Sequence, residues 1–291
     1  MTATATGPRP SSLHLTIPRV VRSEWIKLRT LRSTWWCAAA IVVLSVLFAL
    51  LIASFVNRDG AVLPTVQQDD TTVRVITVGT NFTQLIAAVL GVLVISGEYG
   101  TGMIRSTFAA VPTRLPAVLA KLAVLAVSMF VLGLVAAALA LAASAGLLAG
   151  HHITPHVTDP SVWMPIVGSA VYLSLVAVLA FAVGALLRNT AGGIATALGL
   201  LLVLPIIVGI AGALIQATWI ENVGAVLPSA AGAQLYAYAA PAVTGAAGPG
   251  SRLAAPAADI VLNGWGGLGV TLAWIAAALV PALILVRRRD A

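Results

Sequence analysis

Six stretches of this chain are apolar for long enough to cross a membrane, and that restricts its fold more than any other feature. They fall at residues 35–56, 75–96, 119–149, 163–187, 191–217 and 264–286. A helix rises about 1.5 Å per residue and a bilayer's hydrocarbon is about 30 Å thick, so roughly 20 such residues span it. Lipid leaves backbone groups no partner but their own segment, so each stretch must be helical. The third is longer than a span needs and is expected to tilt or to run past the bilayer. Between the fourth and fifth lie only Arg188, Asn189 and Thr190, which calls for a tight helical hairpin.

Composition excludes the soluble alternative. Hydrophobic residues make up 60% of the chain and charged residues 9%, with a mean hydropathy of +1.03. Soluble domains carry about a quarter charged residues, so this chain lacks the polar surface to cover a globule of its length.

The net charge of +7 gives direction rather than a nucleic-acid partner. With the N-terminus inside, every Lys and Arg except Arg58, Arg74 and Arg252 falls on the cytoplasmic side, as the positive-inside rule requires. The sequence thus predicts an all-α integral membrane protein with six transmembrane helices and both termini cytoplasmic. Residues 1–17 read as a disordered cytoplasmic N-terminus with no cleavable signal, 35–286 as the transmembrane domain and 287–291 as a basic cytoplasmic tail. The single cysteine, Cys37, cannot form an internal disulfide and reads as a small packing residue.

Three connections stand out. Residues 57–74 read as a polar external loop. Residues 150–162 form an external loop with His151, His152 and His156. Closely spaced imidazoles can ligate metal, but no Cys and no carboxylate other than Asp159 is near in sequence, so no metal site is expected. Residues 218–263 mix Trp219, Tyr236 and Tyr238 with Gly, Ala and Pro. Such a segment is expected to dip into the outer interface as short helices.

Catalytic motifs are missing. A P-loop needs a Gly-Lys pair, and the chain's two lysines, Lys27 and Lys121, follow Ile26 and Ala120. No Walker A motif is possible, so this chain is not expected to be an ATPase. No carboxylate lies well inside a predicted span, which disfavours proton- or sodium-coupled transport.

Two segments on the cytoplasmic side carry more information. Residues 18–34 place Val21, Trp25, Leu28 and Leu31 or Arg32 at helical spacing, with Lys27 and Arg29 supplying charge; this predicts an interfacial helix. In the second-to-third connection Gly97, Gly100 and Gly102 break the preceding span. Ile104, Phe108 and Val111 then recur on one helical face until Pro112, so a short amphipathic helix is expected over about 100–111.

In this order the two segments resemble the ABC-2 family of ABC-transporter permeases, in particular its short actinobacterial-type members. The resemblance lies in the run Arg22-Ser23-Glu24-Trp25-Ile26-Lys27-Leu28-Arg29-Thr30 followed by Arg32-Ser33-Thr34-Trp35. It continues in Glu98-Tyr99-Gly100-Thr101-Gly102-Met103-Ile104-Arg105 with Pro112 and Arg114, and in Trp265-Gly266-Gly267 and the Arg287-Arg288-Arg289 tail. It covers nearly the whole chain.

The resemblance implies an elbow helix at 18–34 with Trp25, Lys27, Arg29 and Arg32 at the interface, and a coupling helix at about 100–111. It also implies a re-entrant external segment at 218–263. It implies a second permease copy or close relative as partner, and two ATPase subunits that bind ATP and Mg and dock through Ile104, Arg105, Phe108 and Val111. Glu98 is then expected to pair with Arg188 or an elbow arginine. The function implied is export or flopping of an amphipathic drug, lipid, glycan or peptide across a bacterial inner membrane, with no cofactor in this chain. The alternatives are a non-transport membrane scaffold or sensor, and a membrane-embedded lipid-modifying enzyme built on the histidine loop.

Overall fold

In the computed structural model, residues 16–56, 63–103, 115–154, 156, 158–237 and 260–288 are described, and among them there are helices and no strands. Six helical segments are long and apolar enough to cross a membrane. The protein is a multi-span helical membrane protein.

Helix α1, Ile17–Thr30, carries Pro18 in its first turn, where a missing N–H costs nothing. Leu31 is extended and ends it, and α2, Arg32–Phe55, starts at once as the first span. Trp35 pins this corner by donating its indole N–H to Arg29 O at 2.8 Å. The interfacial helix expected at 18–34 is therefore shorter, and the first span begins on the polar residues Arg32, Ser33 and Thr34.

The second span departs further from expectation. Residues 57–74 were expected to form a loop, yet α3, Thr65–Thr77, is helical and leads through Val78 and Gly79 into α4, Thr80–Gly100. The polar residues of α3 gave the sequence its loop character. Several are buried: Asp69 and Thr72 face the protein, and Thr72 and Thr77 donate back to Gln68 O and Val73 O. Residues 57–62 lie outside the described residues.

Helix α5, Leu115–Gly150, is continuous over 36 residues, which at about 1.5 Å per residue runs well past the hydrocarbon thickness. Helix α6, Pro160–Leu187, is N-capped by Asp159, whose carboxylate accepts the Ser161 N–H at 2.9 Å. The hairpin after it is as tight as expected. Arg188 takes the left-handed conformation (φ 51°), and Asn189 caps α7, Thr190–Leu198, by accepting the Gly192 N–H at 2.8 Å. The fifth span then widens into a π-helical turn, Gly199–Val203, before α8, Leu204–Ile215. Pro205 cannot donate to a carbonyl one turn earlier, and a local change of helical pitch is a common accommodation.

Helices α4 and α6 form the centre. Their crossing is close because Gly91 faces α6: a Cβ there would lie 2.3 Å from Ala177 O. Around it Leu90, Ile95, Leu125, Met129, Tyr172 and Phe181 are fully buried. The fifth span is the most exposed of the six.

The segment between the fifth and sixth spans is partly described. Short helices α9, Thr218–Ala225, and α10, Pro228–Ala233, precede residues 238–259, which lie outside the described residues. The last helix, α11, Gly264–Arg288, returns beside them. Trp274 on α11 donates to Val226 O at 2.9 Å. Tyr236 packs 5.5 Å from Tyr172, ring to ring, and the Tyr172 hydroxyl donates to Gln84 on α4. Tyr172 lies twelve residues into α6, so the segment descends roughly 18 Å along that helix. It enters the bundle rather than resting on its rim.

Candidate functional site at the terminal end of the bundle

One end of the bundle gathers α1, the end of α4, the start of α5, the α6–α7 hairpin and the end of α11. It contains a group of charges that the sequence shows only in pieces. On α1 the residues turned inward are Val20, Glu24 and Leu28, spaced four apart. Trp25 and Ile26 point away from the bundle and are half exposed, and Arg29 and Arg32 are exposed, an arrangement compatible with an interfacial helix. The inward side brings a glutamate into the protein.

Glu24 meets Lys27 one turn on at 2.8 Å. Lys27 also reaches Glu98, at the end of α4, at 3.1 Å. Lys121, near the start of α5, binds Glu98 at 2.7 Å and makes a short bond to Glu24. The four form a closed ring of alternating charge in which each ammonium touches both carboxylates. Glu24, Glu98 and Lys121 are buried, and Lys27 has 30% of its side chain exposed. Both lysines of the chain are in this ring.

Charges so deeply buried are tolerated only when paired and hydrogen-bonded. The ring meets that demand with no net charge. Burial pulls the Lys27 ammonium down, but the hydrogen bonds and negative charge of Glu24 and Glu98 outweigh it, and its pKa is raised above the ordinary value. One atom is left over: Oε2 of Glu98 is buried and has no hydrogen-bond partner among the described residues.

Glu98 therefore does meet basic groups, but they are Lys27 and Lys121, not Arg188 or an elbow arginine. Arg188 turns to the other side of the α4 terminus. Its guanidinium lies over the Tyr99 ring, 5.1 Å from the centroid, and donates to Leu285 O at 3.3 Å. Adjacent residues of α4 thus tie it to opposite neighbours: Glu98 to α1 and α5, Tyr99 through Arg188 to the end of α11. The expected docking residues Ile104, Arg105, Phe108 and Val111 lie outside the described residues. The helices that bracket them, α4 and α5, are two of the three that the ring joins.

A cavity of about 410 Å³ opens beside the ring. Its polar wall includes Glu24, Lys27, Ser33 and Glu98, and its apolar wall includes Leu28, Leu93, Val94 and Val124.

At the opposite end the histidine loop clasps α3. Gln68 Oε1 accepts from the Thr154 N–H at 3.0 Å, and His156 Nδ1 lies 3.0 Å from Asp69 Oδ1. Asp69 is buried and comes from α3, 87 positions earlier in the chain, so its pairing with His156 leaves no mark in the local spacing of the histidines. Among the described residues no group of three or more His, Cys, Asp or Glu is placed to hold a metal.

Compared with protein-family models and with curated proteins, the chain matches none.

Proposed function

We propose that this chain is the membrane-spanning subunit of an ABC-2-type transporter, moving an amphipathic substrate on energy supplied by two copies of a separate ATPase. The chain supplies no phosphate-binding lysine motif of its own, so chemical energy has to enter through a contact. The observation that supports the reading is the charge ring. It fastens the elbow helix α1 to α4 and to α5, the helices on either side of the segment carrying Ile104, Arg105, Phe108 and Val111. A displacement applied to that segment would move the elbow and two spans as one body.

In this reading the terminal end is cytoplasmic, in keeping with its basic residues, and a second permease copy or close relative completes the pathway. The test is reconstitution in vesicles with a P-loop ATPase encoded beside the gene. ATP turnover is expected to need both subunits. Phe108→Asp is expected to abolish docking and substrate movement while the permease still inserts. If turnover and transport by Phe108→Asp match wild type, the docking assignment is wrong.

A further inference from the structure

The middle of the bundle holds a smaller cavity, with room for one water molecule at about 10 Å³. It lies between α2, the second span, α5 and α6. Ser45 on its wall is ten residues from the nearer end of α2, so the cavity sits roughly 15 Å inside that span. The wall is more polar than apolar, and its polar side chains among the described residues are the hydroxyls of Ser45, Thr80, Thr83 and Ser169.

The deeply buried hydroxyls follow a rule with three exceptions. Thr72, Thr77, Ser96, Ser144, Ser169 and Thr271 each donate to a carbonyl about one turn back in their own helix. Ser45, Thr80 and Thr83 are also more than nine-tenths buried, yet their hydroxyls make no hydrogen bond among the described residues. All three line this one cavity. A buried hydroxyl left without a partner is costly, and ordered water is the usual remedy.

The backbone points the same way. The second span is interrupted between Thr77 and Thr80. Past the break, the Asn81 and Phe82 N–H groups reach three residues back, to Val78 O at 3.3 Å and Gly79 O at 3.0 Å. The interruption abuts α2, since a Cβ on Gly79 would lie 3.0 Å from Ser45 Cα. A helix break within a membrane persists where Ser and Thr side chains and ordered water serve the disturbed backbone.

The count of donors and acceptors decides what fits. Three hydroxyl protons lack an acceptor, and the Ser169 oxygen, its proton given to Ile166 O, can still accept. A water takes the protons of two hydroxyls and gives its own two to Ser169 and to the third, so all four are served. A monovalent cation would use lone pairs only, and no carboxylate lines the cavity to balance its charge. We propose that one ordered water occupies this cavity, bridging Ser45 on α2, Thr80 and Thr83 on α4 and Ser169 on α6, and so bracing the interrupted second span against its neighbours. The site owes nothing to an ATPase, so it and the transport role stand or fall separately.

The test is X-ray radiolytic footprinting of the full-length protein in lipid nanodiscs, read by mass spectrometry. Radiolysis makes hydroxyl radicals from water where that water is bound, so side chains beside a buried water are oxidised. Ile76 and Leu173 line the cavity, whereas Leu90 and Leu125, also buried, do not. Ile76 and Leu173 are expected to be modified at least about fivefold faster than Leu90 and Leu125, because a bound water lies beside only the first pair. Thr80→Val with Thr83→Val keeps the side-chain shapes and removes two of the water's partners. It is expected to bring the first pair down to the rates of the second. The wild-type comparison needs no variant and decides the matter if the double variant does not fold. Equal rates for the two pairs in wild type would overturn the proposal. Undiminished oxidation of Ile76 and Leu173 in a folded double variant would overturn the location. Protection of both by sodium chloride but not by N-methylglucamine chloride, with a higher unfolding temperature in sodium, would put a cation in the place of the water.

Discussion

At the scale of single residues, the charge ring is where one atom's loss should cost most. Lys121→Ala would leave Glu24 and Glu98 sharing Lys27 alone, both still buried. Removing one partner of a buried pair costs about 3–5 kcal/mol, because the charge left behind is uncompensated. The joint change Glu24→Gln with Lys121→Met removes one charge of each sign and keeps the rest neutral, so it should cost less than the two single changes added together. Chemical unfolding in detergent checks both. The ring also sets a pH dependence. Lys27 has its pKa raised above the ordinary 10.5. Its contribution to stability is therefore complete below that value and is lost as pH rises through the folded-state value. Wild type is expected to lose unfolding temperature above about pH 10.5, and Lys27→Met to lose less over the same interval. An identical fall in both would remove Lys27 as its source. Half of this site was legible in the sequence. Glu98 stood out as the carboxylate nearest a span end, and Lys27 as an elbow cation. Glu24 looked like one more polar residue of a surface helix, because the spacing of Val21 and Trp25 marks a side for the membrane interface and says nothing of the Val20, Glu24 and Leu28 side that packs on the bundle. The remaining signal was the lysine usage: in a chain otherwise basic through arginine, both lysines stand beside helices facing a glutamate.

At the scale of elements, the segment between the fifth and sixth spans depends on the absence of side chains where it meets the spans. A Cβ on Gly168 would lie 1.8 Å from Leu235 O, a backbone atom that cannot rotate away. Gly168→Ala should therefore push the α10 region off α6, at a cost of about 1–3 kcal/mol. The displacement can be read directly: Ala231 is fully buried, so Ala231→Cys in a Cys37→Ser background should react with a maleimide only when Gly168→Ala is also present. Gly209→Ala serves as the contrast. It lies within α8 with no atom within 4 Å of its added Cβ, and the gain in helix propensity should stabilise by about 0.5–1 kcal/mol. Long spans were legible because twenty apolar residues admit little besides a transmembrane helix. Helix α3 was not, because its pattern is polar on the buried side. Gln68 and Asp69 face partners from the histidine loop far along the chain, and periodicity within one segment cannot reveal a face made polar for a distant neighbour. The π-helical turn ahead of Pro205 was legible only as a site of distortion, since the proline states that a hydrogen bond is lost but not how the backbone absorbs it.

At the scale of the whole molecule, the charges that orient the chain and the charges that hold it together are partly the same. Lys27 and Lys121 count toward a cytoplasmic terminal end, yet both are committed to carboxylates inside the protein. They therefore exert less pull toward the cytoplasm than a free surface lysine would. The orientation then leans on the arginines: Arg22, Arg29 and Arg32 are exposed on and beside the elbow, while Arg188 is held at the hairpin. Single-cysteine labelling in the Cys37→Ser background measures the result. Thr158, in the histidine loop, and Thr101, just past the end of α4, are both exposed and belong to opposite ends of the bundle. Thr158→Cys is expected to react with a membrane-impermeant maleimide in intact cells, and Thr101→Cys only after permeabilisation. Replacing Arg22, Arg29 and Arg32 together with Gln should produce a fraction of inverted molecules, in which Thr101→Cys becomes reachable from outside, whereas Lys27→Gln alone should produce few. If Thr101→Cys in the otherwise native chain reacts from outside, the terminal end faces away from ATP. The proposed transport role would then fall with its orientation, while the charge ring and the cavity beside it would stand as they are.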